Sequence, residues 1–279
     1  MPTEIALLLV LLFIAAYAVH WFRRAFREGS PTGPSRTVVD VPINRVKAYD
    51  LIQRLFHWTN FVVLGIMVLT GISIFLPGPF YPILSPFGIT STGAVVATHT
   101  TFVWALLVLI IIHVVWDTAV VRGWANIWVG KTDVIDLKKR AENFLGISKE
   151  YPREGKYDFF MKSFHWGLTV SLIALGITGI YFMNPLPSLV PIPNLGYETE
   201  YIFRLVHDFF AFLLVGLVIG HIYFAILPVN WPILGEIVIG TISREFYQKH
   251  FDSTRWPLAR SNGIKKAKSG SQEGNQDAG

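Results

Sequence analysis

The chain has 279 residues, of which 52% are hydrophobic and only 15% are charged, a balance that indicates an integral membrane protein rather than a soluble one. Its net charge of +5 does not indicate nucleic-acid binding, because the basic residues follow the pattern expected of membrane topology. The absence of cysteine excludes a disulfide, a cysteine zinc site and a thiolate-held iron–sulfur cluster, so any such centre must lie on a partner.

Five apolar runs are long enough, or nearly so, to cross a hydrocarbon layer of about 30 Å as helices. They lie near residues 5–22, 56–76, 94–116, 163–183 and 205–227. The first could be a signal peptide, but no Lys or Arg precedes it and "RRAFR" follows it, which is the reverse of a signal peptide's charge order. We therefore expect a retained transmembrane anchor and linker over 1–44, followed by a four-helix domain over 45–255.

The positions of the basic residues predict the orientation. The loops 77–93 and 184–204 contain one basic residue, Arg204, and the other three polar stretches hold the remaining 23 of 24. The positive-inside rule then places the N-terminus outside and the C-terminus in the cytoplasm, as in a multi-pass protein of the inner (cytoplasmic) membrane. Residues 233–250 alternate apolar and charged positions and predict a helix lying on the inner surface. The polar segment 256–279 predicts a disordered cytosolic tail.

A shift of 108 positions aligns two copies of a helical hairpin, at about 50–122 and 158–230. It places "HTTFVWALLVLIIIH" (99–113) on "HDFFAFLLVGLVIGH" (207–221) and "RLFHW" (54–58) on "KSFHW" (162–166). Parallel repeats are related by a pseudo-twofold axis along the membrane normal. The predicted fold is therefore an all-α membrane bundle of two duplicated hairpins, each with three histidines: His57, His99 and His113, then His165, His207 and His221.

Helix geometry explains the spacing of fourteen residues between paired histidines. Fourteen residues turn a helix to within about 40° of four full turns and advance it about 21 Å, so both histidines face one side near opposite surfaces. His99 is then level with His207, and His113 with His221. Facing imidazoles at one depth are the axial ligands that a b-type haem requires. The alternative is that these histidines only pack, but ionisable residues inside a membrane are costly and usually functional.

Residues 45–255 resemble the cytochrome b (gamma) subunit of membrane-bound respiratory formate dehydrogenase. The wider family includes di-haem cytochrome b subunits of nickel–iron hydrogenase and thiosulfate reductase. The resemblance rests on the order of "FHW" with "LTGISIFLPG", "ATHTTFV", "GKYDFFMKSFHW", "RLVHDFFA" and "GHIYFAI". It implies an outer haem b held by His99 and His207 and an inner haem b held by His57 and His221.

The same resemblance implies the function. The chain would anchor an external catalytic subunit and its iron–sulfur partner, and would pass electrons through the haems to menaquinone or ubiquinone at the cytoplasmic side. The quinone pocket would lie near "GKY", around Tyr157, Asp158 and Trp166 beside His221. We expect no independent dehydrogenase active site. The alternatives are a hydrogenase-like or thiosulfate reductase-like complex and, from another class, a transporter of metal ions or protons that uses the intramembrane histidines.

Three features depart from the family pattern. The N-terminal anchor is additional, and Asp158 stands where the best-known member has Asn. His113 and His165 have no histidine counterparts in that member. By the pseudo-twofold they could hold a third haem, or they are remnants of the duplication that pack against haem edges.

Three basic residues are candidate partners of haem propionates. Arg204 precedes His207 by three positions, and a guanidinium group matches a carboxylate with two parallel hydrogen bonds. Arg54 and Lys162 stand three positions before His57 and His165. The alternatives are that Arg204 anchors a helix end and that the other two follow the positive-inside bias.

Overall fold

A computed structural model describes residues 44–183 and 196–258. Four of the described helices are long and apolar enough to span a membrane, which confirms the all-α membrane bundle. These spans are α1 (Leu51–Phe75), α3 (Thr92–Trp116), α5 (Phe159–Met183) and α6 (Tyr197–Ile226). The shorter elements are β1 (Arg45–Lys47), α2 (Tyr81–Leu84), α4 (Lys131–Phe144), α7 (Trp231–Ile239), β2 (Thr241–Ser243) and α8 (Arg244–His250). The predicted anchor run 5–22 and the tail from residue 259 lie outside the described residues.

Polar side chains cap the spans and extend them beyond the apolar runs. Asp50 accepts a hydrogen bond from the Gln53 amide at 2.8 Å, and the Gln53 side chain accepts one from the Asp50 amide at 3.1 Å. This reciprocal capping box starts α1 five residues before its apolar run. Asp158 accepts from the Met161 amide at 2.7 Å at the start of α5. These side chains satisfy amides that a helix start otherwise leaves without partners.

The spans pair within each repeat, α1 against α3 and α5 against α6, and α1 also meets α6. Small polar side chains such as Thr70, Ser171 and Thr178 are buried between them. Many large apolar side chains of the spans are exposed, Val108 and Ile219 among them. A bundle in lipid needs this arrangement, because hydrocarbon is its solvent and small residues let helices approach closely.

A two-stranded sheet joins the two ends of the bundle domain. Strand β1 pairs antiparallel with β2, with Val46 opposite Ile242. Both residues belong to an apolar cluster with Ala48, Tyr247 and Trp256. Because Trp256 is only 3% exposed, the domain boundary predicted after residue 255 falls inside this cluster.

The surface helix predicted over 233–250 is wrong as one continuous element. The chain forms α7, turns at Gly240, pairs as β2 and then forms α8. Gly240 has a φ of +84°, and a Cβ there would lie 2.9 Å from the Tyr49 carbonyl oxygen. Its own carbonyl accepts hydrogen bonds from the amides of Ala48 and Tyr49, at 2.8 and 3.2 Å. The predicted helix is therefore interrupted at Gly240 because this segment pairs with residues almost 200 positions earlier in the chain. Hydrophobic periodicity does not reveal such a pairing.

Candidate functional site

Four histidines meet at one end of the bundle, called here the four-histidine end: His57, His113, His165 and His221. The ring centres of His57 and His221 lie 6.2 Å apart, and those of His113 and His165 lie 6.4 Å apart. Both pairs have their rings inclined by 56°. A metal–imidazole nitrogen bond is about 2 Å long, so two imidazoles on opposite sides of one iron have ring centres about 6 Å apart. Both pairs have this spacing.

Two phenylalanines repeat the arrangement of the histidines. Phe56 stacks on His113 with ring centres 4.4 Å apart, and Phe164 stacks on His221 at 4.6 Å; each pair is inclined by 14°. The shift of 108 positions converts the first stack into the second. The duplication seen in the sequence is therefore a twofold arrangement of contacts in the structure.

The remaining two span histidines, His99 and His207, form the two-histidine end. His99 Nδ1 lies 2.9 Å from Thr70 Oγ1 of the neighbouring helix α1. His207 Nδ1 lies 2.8 Å from Thr178 Oγ1 of α5. These contacts are again equivalent under the shift of 108, and each lies within one repeat.

The threonines fix which imidazole nitrogen is available to a metal. Thr70 donates its one hydroxyl hydrogen to the Ile66 carbonyl at 2.7 Å, and Thr178 donates to the Ala174 carbonyl at 2.8 Å. Each hydroxyl oxygen then accepts a hydrogen bond from the Nδ1–H of its histidine, which leaves the Nε2 lone pair for a ligand. Ligating histidines are commonly oriented through their other ring nitrogen in this way.

Sequence reasoning missed Thr70 and Thr178, although they lie in "LTGI" and "ITGI", which the repeat aligns. The glycine after each threonine allows a close approach. A Cβ at Gly71 would lie 3.3 Å from His99 Cε1, and one at Gly179 would lie 3.6 Å from His207 Cε1. The facing pair of His57 and His221 at one end, and the hydrogen bonds and glycine contacts of His99 and His207 at the other, fit bis-histidine haem sites.

Two predicted propionate partners have other contacts. The Arg54 guanidinium donates to the Val238 carbonyl at 2.9 Å, at the end of α7. Arg204 lies over the Phe182 ring at 6.0 Å, and the Phe182 ring packs against His207 with centres 5.9 Å apart. Arg204 is therefore close to the two-histidine end, and its contact with a propionate stays a prediction.

Lys162 is buried in an ion pair. Its Nζ lies 2.8 and 2.9 Å from the two Asp133 carboxylate oxygens and 3.1 Å from the Trp128 carbonyl oxygen. Lys162 is 3% exposed and Asp133 is 1% exposed. An ammonium group has three hydrogens, so this geometry leaves none for the propionate predicted from the sequence. Arg255 also pairs with Asp133, at 3.1 Å.

The three predicted quinone residues have different hydrogen-bond or ring partners, and their role in a quinone pocket stays a prediction. Asp158 caps α5 and accepts from the Arg140 guanidinium at 3.1 Å. Trp166 donates its indole N–H to the Ile127 carbonyl at 3.0 Å. The Tyr157 ring packs against the Tyr49 ring, with centres 6.5 Å apart. The three side chains have separate sets of partners, which depend on segments distant in the sequence.

A buried polar cluster at the four-histidine end escaped the sequence analysis. Lys156 donates to the Ala48 carbonyl at 2.6 Å, and its ammonium lies 4.3 Å from the centre of the Tyr49 ring. Glu236 is 3% exposed, and its Oε1 has no hydrogen-bond partner in the described part of the chain. Burial raises the pKa of Glu236 to about 7, an effect that the positive charge of Lys156 opposes. Burial also lowers the pKa of Lys156 to about 8.

One sequence signal could have identified this cluster. Glu236 is the only charged residue in the apolar stretch "WPILGEIVIG". Lone acids in apolar helices are rarely without a role, because an ionised carboxylate is costly to bury. Lys156 lies in "GKYD", of which the sequence analysis singled out only Tyr157 and Asp158.

Comparison with known families agrees with this site. Residues 48–234, about two thirds of the chain, match the family described as prokaryotic cytochrome b561. The match includes all six histidines of the spans. A search of curated proteins finds no match. This multi-pass membrane chain therefore belongs to the prokaryotic cytochrome b561 family, whose members bind haem b and transfer electrons.

Proposed function

We propose that the chain is the haem b membrane subunit of a respiratory, formate dehydrogenase-like oxidoreductase. It receives electrons from an iron–sulfur partner on the outer face and delivers them to quinone at the cytoplasmic side. The observation that supports this best is that histidines lie at both ends of one bundle, with His57 facing His221 at the four-histidine end. His99 and His113 lie fourteen residues apart on α3, so the two levels are separated by about 21 Å along the helix.

The residues of the chain have distinct roles in this proposal. Haem b supplies a one-electron iron centre when bound. His99 with His207, and His57 with His221, hold the two irons at opposite ends, and Thr70 and Thr178 orient the first pair. The protein thereby sets the positions and the surroundings of the carriers, while the redox chemistry belongs to the cofactor.

The need for an external partner follows from composition. The chain has no cysteine and so cannot hold an iron–sulfur cluster by thiolates. The distribution of Lys and Arg supports an outward-facing two-histidine end, where a periplasmic donor could bind. A hydrogenase-like or thiosulfate reductase-like donor would meet the same surface, and purification of the tagged chain from native membranes would identify it.

Quinone reduction is proposed at the four-histidine end, near residues 156–158. Trp58, next to His57, donates to the Ile237 carbonyl at 3.4 Å and so links the start of α1 to the helix that carries Glu236. Lys156 and Glu236 have pKa values near neutrality and are buried together. Groups whose pKa is close to the working pH are suited to proton transfer. They, rather than Asp158, are the better candidates to supply protons to a reduced quinone.

The test is spectroscopic and uses the full purified chain. We expect b-type haem bands, with the haem of the four-histidine end reducible by a quinol analogue. His207→Ala should remove the haem of the two-histidine end and leave the quinol-reducible haem in place. His250→Ala is the matched control, because His250 lies on α8 outside the spans and its ring stacks on Phe246 of the same helix. Folded protein without haem bands would overturn the proposal and leave the transporter alternative.

A further inference from the structure

We propose that one face of α4 binds anionic phospholipid of the cytoplasmic leaflet. The face consists of five exposed residues in the first two and a half turns of the helix and is called here the lysine face: Lys131, Val134, Ile135, Lys138 and Lys139. The inference uses the orientation that the basic residues give, but it involves neither haem nor quinone. It therefore goes beyond the proposed function, and its failure would leave that function intact.

Helix α4 has acidic side chains inside and aliphatic side chains outside. Asp133 and Asp136 are buried and pair with cationic side chains of other segments. Val134 and Ile135 lie between them in the sequence and are 50% and 54% exposed. A helix on the surface of a water-soluble domain has the opposite arrangement, with its apolar stripe against the core. The outward Val and Ile indicate that the medium beside α4 is not water alone.

The contacts before and within α4 place the lysine face at the membrane boundary. Trp166 donates its indole N–H to the Ile127 carbonyl at 3.0 Å. The Lys162 ammonium lies 3.1 Å from the Trp128 carbonyl oxygen and 2.8 Å from an Asp133 oxygen. Lys162 and Trp166 belong to the first eight residues of α5, a length of about 12 Å in which the apolar run of this span begins. The start of α4 is therefore level with the region where headgroups meet acyl chains.

The composition of the lysine face favours an anionic lipid as its ligand. Three ammonium groups surround two aliphatic side chains. Lysine stems lie along apolar surface while their charged ends reach the headgroups, and aliphatic side chains of an interfacial helix enter the acyl boundary. The basic residues place this end of the bundle on the cytoplasmic side, where anionic lipids attract lysine. The negative phosphodiester of such a lipid complements the ammonium groups in charge.

Apolar exposure continues at the end of α4. Phe144, Leu145 and Ile147 are exposed, although they lie outside the four spans of the described chain. Contiguous exposed apolar surface marks contact with a membrane or with another protein. A protein that covers this region is therefore the alternative to lipid, and the two differ in what reaches the lysine face.

The test makes use of a chain without cysteine. Ile135→Cys gives the full purified chain one thiol for an environment-sensitive fluorophore, in nanodiscs that contain one chain each. Replacing part of the phosphatidylcholine by phosphatidylglycerol should increase quenching of this fluorophore by lipids spin-labelled near the headgroup. Ile219→Cys is the control, because this exposed residue of α6 lies within a span and should be quenched by lipids spin-labelled in the acyl chain in either composition.

A change of one lysine tests the role of charge. In the labelled chain, Lys139→Gln should raise the mole fraction of phosphatidylglycerol at half-maximal quenching about fivefold, the contribution of one lysine near an anionic surface. Lys249→Gln is the matched control, because this exposed lysine lies on α8 and its loss should leave the titration unchanged. Circular dichroism checks that each variant keeps its helices.

Two results would overturn the proposal. One is quenching of the Ile135 fluorophore by iodide to the same extent in both lipid compositions, which would mean that the face is in water. The other is protection from iodide without quenching by spin-labelled lipid, which would mean that protein covers the face.

Discussion

The two ends of the bundle hold their histidines in different ways. At the two-histidine end, each imidazole is fixed by a threonine from the same repeat, at 2.9 Å for His99 and 2.8 Å for His207. At the four-histidine end, each imidazole faces one from the other repeat, and the buried His57 Nδ1 has no hydrogen-bond partner among the described residues.

The surroundings of the two ends differ accordingly. The four-histidine end lies against β1, β2, α4 and α7, with buried ion pairs and the cluster of Lys156 and Glu236. Ligands there are positioned by long-range contacts of the whole domain. Ligands at the other end are positioned by one local hydrogen bond. Changes outside the spans should therefore affect one end and leave the other nearly unchanged.

The largest expected effect follows removal of Asp133. Asp133→Ala leaves the ammonium of Lys162 buried without its carboxylate, three positions before His165. Breaking a buried ion pair in this way costs about 3–5 kcal/mol of unfolding free energy. Unfolding in mixed detergent should show this loss, with haem released from the four-histidine end first. Glu142→Ala is the control, because its pair with Lys138 is exposed and contributes about 0–1 kcal/mol. Equal release of haem from both ends would contradict the view that different contacts position the ligands at the two ends.

The next effect is a pH dependence from Glu236. Burial raises its pKa in the folded protein to about 7, from 4.5. Between these values the unfolded chain loses the proton while the folded chain keeps it, so stability falls as pH rises from about 4.5 to 7, by about 3 kcal/mol in total. Glu236→Gln should remove this slope. The check is the difference in unfolding free energy between wild type and variant across this pH range; parallel profiles would contradict the assignment.

A third expectation concerns the threonines. Thr70→Val and Thr178→Val remove the oxygen that orients His99 and His207, and loss of such a supporting contact lowers metal affinity by about 10–100-fold. Titration of the apoprotein with haem should show the loss at the two-histidine end only. Thr100→Val is the control, since the hydroxyl of Thr100 bonds only to carbonyls of its own helix. Lower haem affinity at the four-histidine end in these variants would show that the two ends are coupled.

The smallest expected effect separates the two pairs within the four-histidine end. Phe164→Ala removes the ring stacked on His221, and Phe56→Ala removes the ring stacked on His113. A stacked aromatic pair is worth about 0.5–1.5 kcal/mol, so affinity for the haem proposed at His57 and His221 should fall between about two- and tenfold in Phe164→Ala and change less in Phe56→Ala. Phe209→Ala, on the exposed face of α6, should change neither. Identical spectral changes in the first two variants would contradict the assignment of the haem at this end to His57 and His221.

The sequence was informative wherever periodicity and duplication decide the structure. The four spans inside the described residues follow from hydropathy, and the shift of 108 relates the threonine and phenylalanine contacts of the histidines in one repeat to those in the other. His57 lies beside His221, as the resemblance implied, although their role as ligands stays a prediction. These features depend on one helix or on a repeated pattern, so they are visible in a linear sequence.

The side-chain contacts made by residues in the loops and at helix ends were not predictable in the same way. Asp158 and Tyr157 are adjacent, yet one pairs with Arg140 and the other with Tyr49. Gly240 ends α7 because β1 occupies the space beside it, nearly 200 residues earlier in the chain. Lys162 pairs with Asp133, which the start of the preceding helix α4 places beside it. Such contacts depend on the three-dimensional arrangement of separate segments, which composition and spacing do not contain.

The pairing of His57 with His221 sets an order of events during synthesis. His99 meets Thr70 only 29 residues away, so that contact can form as soon as the first hairpin is inserted. His57 must wait for a residue 164 positions later. At about 5–20 residues per second this delay is on the order of 10 s. Throughout that interval, His57 of the nascent first hairpin lacks its partner, so a haem-delivery factor or free haem would meet a single imidazole there.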